Sequence, residues 1–285
     1  MDRRIIDLYD DFTHCHLDRR LFIERLARLV GSTAAALALL PQLESNLAIA
    51  QTIPETDARL RAQDVTYEGS SGVMTGYLAR PAGDTKAPAV LVIHENRGPQ
   101  PHIRDVARRV AVAGFVALAP DFMSPIGGTP ATEDEARTKF SGVRVPVALA
   151  DALKSTAFLR SRPEATGKVG VVGFCWGGAM TGHVAAAGDD VQGAVVFYGT
   201  APALDKVPAI KAPLLLHYAG IDERVNATVP GFEAALKQAA KTYTLHMYEG
   251  VNHAFHNDTA GTRYNADAAR LAWTRTVDFF NRTLR

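Results

Sequence analysis

The 285 residues carry 31 Lys+Arg against 30 Asp+Glu, a formal net charge of +1. That balance excludes the basic footprint of a nucleic-acid-binding surface and any acidic or basic tail. With 47% hydrophobic and 21% charged residues the chain buries a sizeable core and is not disordered, and its length suits one large α/β domain with an extension. Two cysteines, Cys15 and Cys175, make no disulfide framework. No metal-type Cys/His spacing occurs, so neither a metal nor a cofactor is expected. The longest apolar run, Leu29 to Leu40, is well short of the roughly 20 residues a bilayer span needs.

Residues 1–55 read as an N-terminal extension and residues 56–285 as the main domain. Arg19-Arg20-Leu21-Phe22-Ile23 resembles a twin-arginine export signal, followed by a mild apolar stretch, Leu29 to Pro41, and a small-residue cleavage site at Ala48-Ile49-Ala50. The other reading is an amphipathic helix, Leu21 to Leu40, kept in the mature protein and packed on the main domain or on a second copy of the chain. Met1 to Arg28 holds six basic and six acidic residues, whereas an export leader is net positive ahead of its apolar core. The retained helix, and with it a cytoplasmic location, is therefore preferred; export would make the protein periplasmic.

From Asp64 the pattern alternates. Asp64 to Glu68 and Thr75 to Arg80 predict two paired strands before the Pro81-Ala82-Gly83 turn. Ala89 to His94 is a continuous apolar run, as a strand buried on both faces requires. A helix follows over His102 to Ala113, ending at Gly114, then a strand over Phe115 to Ala119. A helix over Val145 to Arg160, a strand over Lys168 to Phe174 and a helix over Trp176 to Ala187 come next. Strands at Ala194 to Phe197 and Pro213 to Tyr218, a helix over Val229 to Ala240, a strand over Tyr243 to Tyr248 and a helix over Ala266 to Asn281 complete the chain. Strand-helix alternation at this spacing predicts a mostly parallel, doubly wound sheet with helices on both faces.

Gly173-Phe174-Cys175-Trp176-Gly177 stands where a strand meets a helix. It is the nucleophile-elbow pattern with cysteine in place of serine. The turn is so tight that a side chain two residues before or after the nucleophile would meet backbone, hence the glycines. The helix N-terminus favours a thiolate and a developing oxyanion. A buried structural cysteine beside a turn is the bland alternative, and the paired glycines argue against it.

Such a nucleophile needs an acid and then a histidine further along the chain. Asp222, just past the strand Pro213 to Tyr218, and His253, just past Tyr243 to Tyr248, fall at the same sheet edge as Cys175. Glu223 is the alternative acid. Among other histidines, His217 and His246 lie within strands and His183 within a helix, while His94 ends a strand as a candidate wall of the site and His256 is close enough to line it.

Together with His94-Glu95-Asn96-Arg97-Gly98 and His253-Ala254-Phe255-His256-Asn257-Asp258, these residues resemble the dienelactone hydrolase family of the α/β-hydrolase fold, over about Asp64 to Arg285. The resemblance implies a triad of Cys175, Asp222 and His253, with Glu95 beside the thiol controlling its ionisation. It also implies an oxyanion hole from the backbone N–H groups of Asn96 and Trp176. Two departures bear on substrate. The family's carboxylate-binding arginine four positions after the histidine is Asn257 here, and a second family arginine aligns only loosely with Arg137. Arg97 is a candidate replacement, and Trp176 and Phe255 are candidate apolar walls. The expected reaction is cleavage of a small-molecule ester or enol-lactone through a thioester. The alternatives are a broad carboxylesterase or thioesterase acting on neutral short-chain esters, and a catalytically silent binding protein.

Overall fold

A computed structural model of the protein describes residues 2–14, 17–43, 52–188 and 191–285. Its centre is an eight-stranded sheet, β1 (Leu60–Glu68), β2 (Val73–Pro81), β3 (Ala87–Ile93), β4 (Val116–Pro120), β5 (Ala165–Phe174), β6 (Gly193–Phe197), β7 (Leu214–Ala219) and β8 (Tyr243–Tyr248). The strand order is β1-β2-β4-β3-β5-β6-β7-β8. β1 and β2 pair antiparallel, β2 joins β4 antiparallel, and β3 to β8 run parallel. This is the predicted mostly parallel α/β-hydrolase architecture. β3 is buried along its whole length because both faces are covered. Val90 and Val92 face one core layer, built with the helices Pro101–Val112 and Ala266–Leu284, while Ala89, Leu91 and Ile93 face the other, built with Val145–Ser161 and Trp176–Ala186.

The N-terminal segment departs from the single-helix expectation. It forms α1 (Arg3–His14), α2 (Arg19–Val30) and α3 (Thr33–Leu43). Asp18 caps α2, its carboxylate accepting from the N–H groups of Arg20 and Leu21, and Gly31 ends it at φ 92°. That left-handed residue is easy for glycine, and it splits the stretch from Leu21 to Leu40 into two helices bent by 107°. No single helix among the described residues is long and apolar enough to cross a membrane. The apolar sides of the three helices close on one another through Tyr9, Phe12, Phe22, Leu26, Ala36 and Leu40, with the Phe12 and Phe22 rings stacked at 4.3 Å. The cleavage-like Ala48-Ile49-Ala50 and Cys15 lie outside the described residues.

Six further helices follow β2: α4 (Pro101–Val112), α5 (Glu133–Phe140), α6 (Val145–Ser161), α7 (Trp176–Ala186), the one-turn α8 (Glu223–Asn226) and α9 (Val229–Gln238), before α10 (Ala266–Leu284) closes the chain. α5 and α8 are absent from the sequence-based reading. α5 is short, and its polar sequence gives little periodic signal: Thr132 caps it, and Ala136 and Phe140 are its buried residues.

The junction of β5 and α7 is tightly closed. A Cβ on Gly173 would stand 2.0 Å from the Gly177 carbonyl oxygen, and one on Gly177 would stand 2.3 Å from that of Ile93 and 2.5 Å from that of His94. Gly177→Ala tests this contact, because alanine otherwise favours helix by ~1 kcal/mol over glycine. A net loss of about 1–3 kcal/mol is expected from overpacking against backbone that cannot move aside. Thermal unfolding reads it, and an unchanged or raised Tm contradicts the close approach.

Candidate active site

Cys175 sits between β5 and α7 at φ 56°, ψ −116°, a conformation L residues rarely hold. Its N–H donates to the Phe197 carbonyl oxygen at 3.0 Å, which ties the turn to β6. The side chain is buried, with 6% of the residue exposed. Trp176, as the first residue of α7, has an N–H with no partner inside its own helix.

Asp222 and His253 are brought together by two backbone bonds between their loops. Gly220 N–H donates to the Tyr248 carbonyl at 2.8 Å, and Ile221 N–H to that of Val251 at 3.1 Å. Asp222 caps α8, with Oδ1 accepting from Val225 N–H at 3.1 Å, and this aims Oδ2 at His253. His253 Nδ1–H donates to Oδ2 at 2.5 Å. Both side chains are buried. Burial opposes charging His253, but the Asp222 carboxylate and the adjacent Cys175 sulfur raise its pKa to about 10. Burial pushes Asp222 up, and its bonds to His253 and Val225 more than reverse this, leaving it lowered. His253 Nε2 is buried without a hydrogen-bond partner, and the ring-nitrogen and sulfur atoms of His14, Cys175 and His253 all lie within 4.8 Å of one another.

The thiol's hydrogen-bond partner is His14, at the end of α1, with Nε2 3.0 Å from Sγ. His14 Nδ1 lies 2.9 Å from the Asp10 carbonyl oxygen. A carbonyl only accepts, so Nδ1 carries the proton and Nε2 offers its lone pair to the S–H. Burial, then the positive charge on His253, hold the His14 pKa well below the usual histidine value. The rings of His14 and His253 meet edge to face at 4.7 Å.

A cavity of about 580 Å³ opens over the thiol, lined by Phe12, His14, Leu17, Asn96, Arg137, Phe140, Cys175, Trp176, Tyr198 and Arg224 among others. Of the residues predicted from sequence, Cys175, Asn96, Trp176 and Arg137 lie on this wall. The Asn96 side chain donates to the Thr13 carbonyl at 2.6 Å. Arg137 donates to the Phe12 carbonyl at 2.9 Å and lies 3.8 Å above the Phe12 ring centroid. Glu95 accepts from Asn257 Nδ2 at 2.8 Å and from the Tyr198 hydroxyl at 3.5 Å. Arg97 is outside this cavity, paired with Glu133 at 3.2 Å and with the Tyr9 hydroxyl at 3.3 Å. His94 is fully buried, donating from Nδ1 to the Glu95 carbonyl oxygen at 2.5 Å and accepting the Phe122 N–H at 3.2 Å. Phe255 is buried behind Tyr198, and His256 is buried against Phe174.

His14, Tyr198 and Arg224 were not expected here. Tyr198, at φ 39°, follows β6 at the same edge as Cys175, and that position after a buried strand was its one available signal. His14 carries no signal in strand-helix periodicity, because it belongs to a helix docked from outside the repeating pattern.

Comparison with known proteins gives a consistent picture. The dienelactone hydrolase family matches residues 74–284. A Methylorubrum extorquens protein named "Putative carboxymethylenebutenolidase" is 34% identical over 247 residues, 81% of this chain and 84% of that one. The Escherichia coli "Putative hydrolase fragment YghX" is 49% identical over 105 residues, 36% of this chain and 90% of that one. The crystal structure of a "Putative Dienelactone Hydrolase" from Klebsiella pneumoniae superimposes with a TM-score of 0.71 at 27% identity, covering 78% of this chain and 98% of that one.

The electrostatics of the pair are open to measurement. Because the His253 pKa is raised from 6.5 to about 10, protonated His253 adds stability that is full below about pH 6.5 and lost as pH climbs through about 10. In Asp222→Asn the carboxylate is gone, so the His253 pKa is expected to fall. NMR titration of the His253 ring reads the change, and a variant still titrating near 10 would contradict the assignment. The alkaline loss of Tm should shrink in parallel.

Proposed function

The chain belongs to the dienelactone hydrolase family, and from that premise we propose that it cleaves carboxylic esters and lactones with Cys175 as nucleophile, His253 as base and Asp222 as the group that orients it. One observation carries this reading. The 2.5 Å bond from His253 to Asp222 leaves Nε2 buried, unpartnered and within 4.8 Å of a sulfur held in a strained elbow. His253 draws the proton from Cys175, or pairs with its thiolate. The thiolate attacks the carbonyl carbon, and the N–H groups of Asn96 and Trp176 stabilise the oxyanion. The leaving alkoxide or enolate takes the proton from His253. Water, deprotonated by His253, then hydrolyses the thioester and restores the thiol. Glu95, held by Asn257 and Tyr198, helps to control the ionisation of the thiol.

Neutral short-chain esters or lactones are the preferred substrates. Asn257 is turned to Glu95, so no cation stands at that position. Arg137 is engaged by the Phe12 carbonyl, which a substrate carboxylate would have to displace. Phe12, Leu17, Phe140, Trp176 and Tyr198 supply apolar wall. α1 builds part of that wall, and this supports an extension kept in the mature, cytoplasmic enzyme. Mass spectrometry of protein from its native host tests this: an N-terminus near Gln51 would mean export and loss of His14 from the site.

Cys175→Ala is expected to lower kcat by several powers of ten while Cys15→Ala leaves it intact. Retention of more than about a tenth of kcat in Cys175→Ala rules out the covalent route. For substrate class, kcat/KM for a neutral ester is compared with that for a dienelactone carboxylate. The neutral ester is expected to win. A tenfold preference for the carboxylate, about 1.4 kcal/mol, sinks the argument, and Arg137→Ala and Arg224→Ala then identify the cation responsible.

A further inference from the structure

We propose that His14, Cys175 and His253 form a zinc site with three protein ligands, and that zinc bound there locks the N-terminal helix onto the nucleophile and inhibits the enzyme. Among the described residues this cluster offers one sulfur and two imidazole nitrogens within 4.8 Å of one another. Those are the ligand types zinc prefers. In sequence they are too far apart to read as a metal motif. The fold assembles them because α1 delivers His14 to the mouth of the elbow.

The outer contacts are already those of a metal site. A histidine that binds zinc usually donates its second ring N–H to a carboxylate or a backbone carbonyl, which fixes the tautomer and aims the other nitrogen. His253 donates from Nδ1 to the Asp222 carboxylate at 2.5 Å, and His14 donates from Nδ1 to the Asp10 carbonyl at 2.9 Å. His14 Nε2 therefore presents a lone pair toward Sγ, and His253 Nε2 does so once its second ring proton has left. The His253 Nε2 is buried and has no hydrogen-bond partner.

The distances need only small adjustments. Zinc bonds of about 2.3 Å to sulfur and 2.0–2.1 Å to nitrogen put tetrahedral ligand atoms about 3.3–3.6 Å apart. The His14 Nε2 to Sγ separation of 3.0 Å opens slightly, and the widest separation, at most 4.8 Å, closes by side-chain rotation. The fourth position faces the 580 Å³ cavity, which admits the ion and leaves room for a water ligand. On binding, zinc replaces the proton on sulfur and the proton on His253 Nε2, and both leave to solvent, with no change of oxidation state. The sulfur lone pair that would attack a carbonyl is then held by the metal.

The binding is independent of the reaction, whereas the inhibition rests on Cys175 being the nucleophile proposed above. The full-length chain is titrated with Co²⁺, followed by displacement with Zn²⁺. One equivalent should give a thiolate-to-cobalt charge-transfer band and the intense visible bands of four-coordinate cobalt, and zinc should abolish both. Zn²⁺ affinity, measured by competition with a chelator, should fall at least a hundredfold in His14→Gln, more than the roughly 10–100-fold typical of losing an outer contact. His14→Cys, which restores a ligand at the same place, should recover most of the loss, a result that general damage to folding would not give. Absence of a 1:1 thiolate–metal complex, or an affinity unchanged in His14→Gln, overturns the site. Tight, His14-dependent binding with undiminished esterase activity leaves the site standing and instead refutes Cys175 as nucleophile.

Discussion

The contact on which the molecule depends is backbone against backbone. The first turn of α7 lies against the end of β3 so closely that Gly177 has no room for a Cβ. That approach forces Cys175 to φ 56°, a cost of order 1–3 kcal/mol for a non-glycine residue. Four non-glycine residues among those described have positive φ, and Cys175, Tyr198 and Ala254 are three of them. Strain is thus gathered where three loops meet at one edge of the sheet. The parallel strands on either side hold it there, because β5 hydrogen-bonds to β3 and β6 along its length and cannot relax alone.

The histidine loop is held just as firmly. Asp258 accepts from His102 at 2.7 Å and pairs with Arg109, both from α4. Burial raises the Asp258 pKa and these two partners more than reverse it, so the carboxylate stays charged. Asn257 ties the same loop to Glu95, while its own Oδ1 accepts the Thr259 N–H at 3.0 Å. Asn265 N–H donates to the Phe255 carbonyl at 3.0 Å. His253 therefore stands on a loop anchored to α4, to Glu95 and to the start of α10.

The hydrolase fold was legible in the sequence because its signals are local. Buried parallel strands are apolar runs, as in Ala89 to Ile93, and the elbow is two glycines two residues either side of a cysteine. The order of nucleophile, acid and histidine followed from strand ends. What stayed hidden was long-range. Asn257 invites comparison with a missing arginine, and only its side-chain bond shows that it serves Glu95. The stretch from Leu21 to Leu40 has the composition of one helix, yet Gly31 turns it back on itself. His14 lies 161 residues from the sulfur it touches, and no period or motif connects them.

The way the extension docks explains why it belongs to the site. A helix ends with unsatisfied carbonyls and a partial negative charge. At the end of α1, the Phe12 carbonyl takes a hydrogen bond from Arg137 and the Thr13 carbonyl one from Asn96, while Asp10 pairs with Arg263 at 3.3 Å. Arg137, on the cavity wall, is thus engaged by the protein's own helix terminus. The same docking that engages Arg137 delivers His14 to the sulfur. α1 therefore lends both Phe12 and His14 to the cavity over Cys175, from outside the part of the chain that the family match covers.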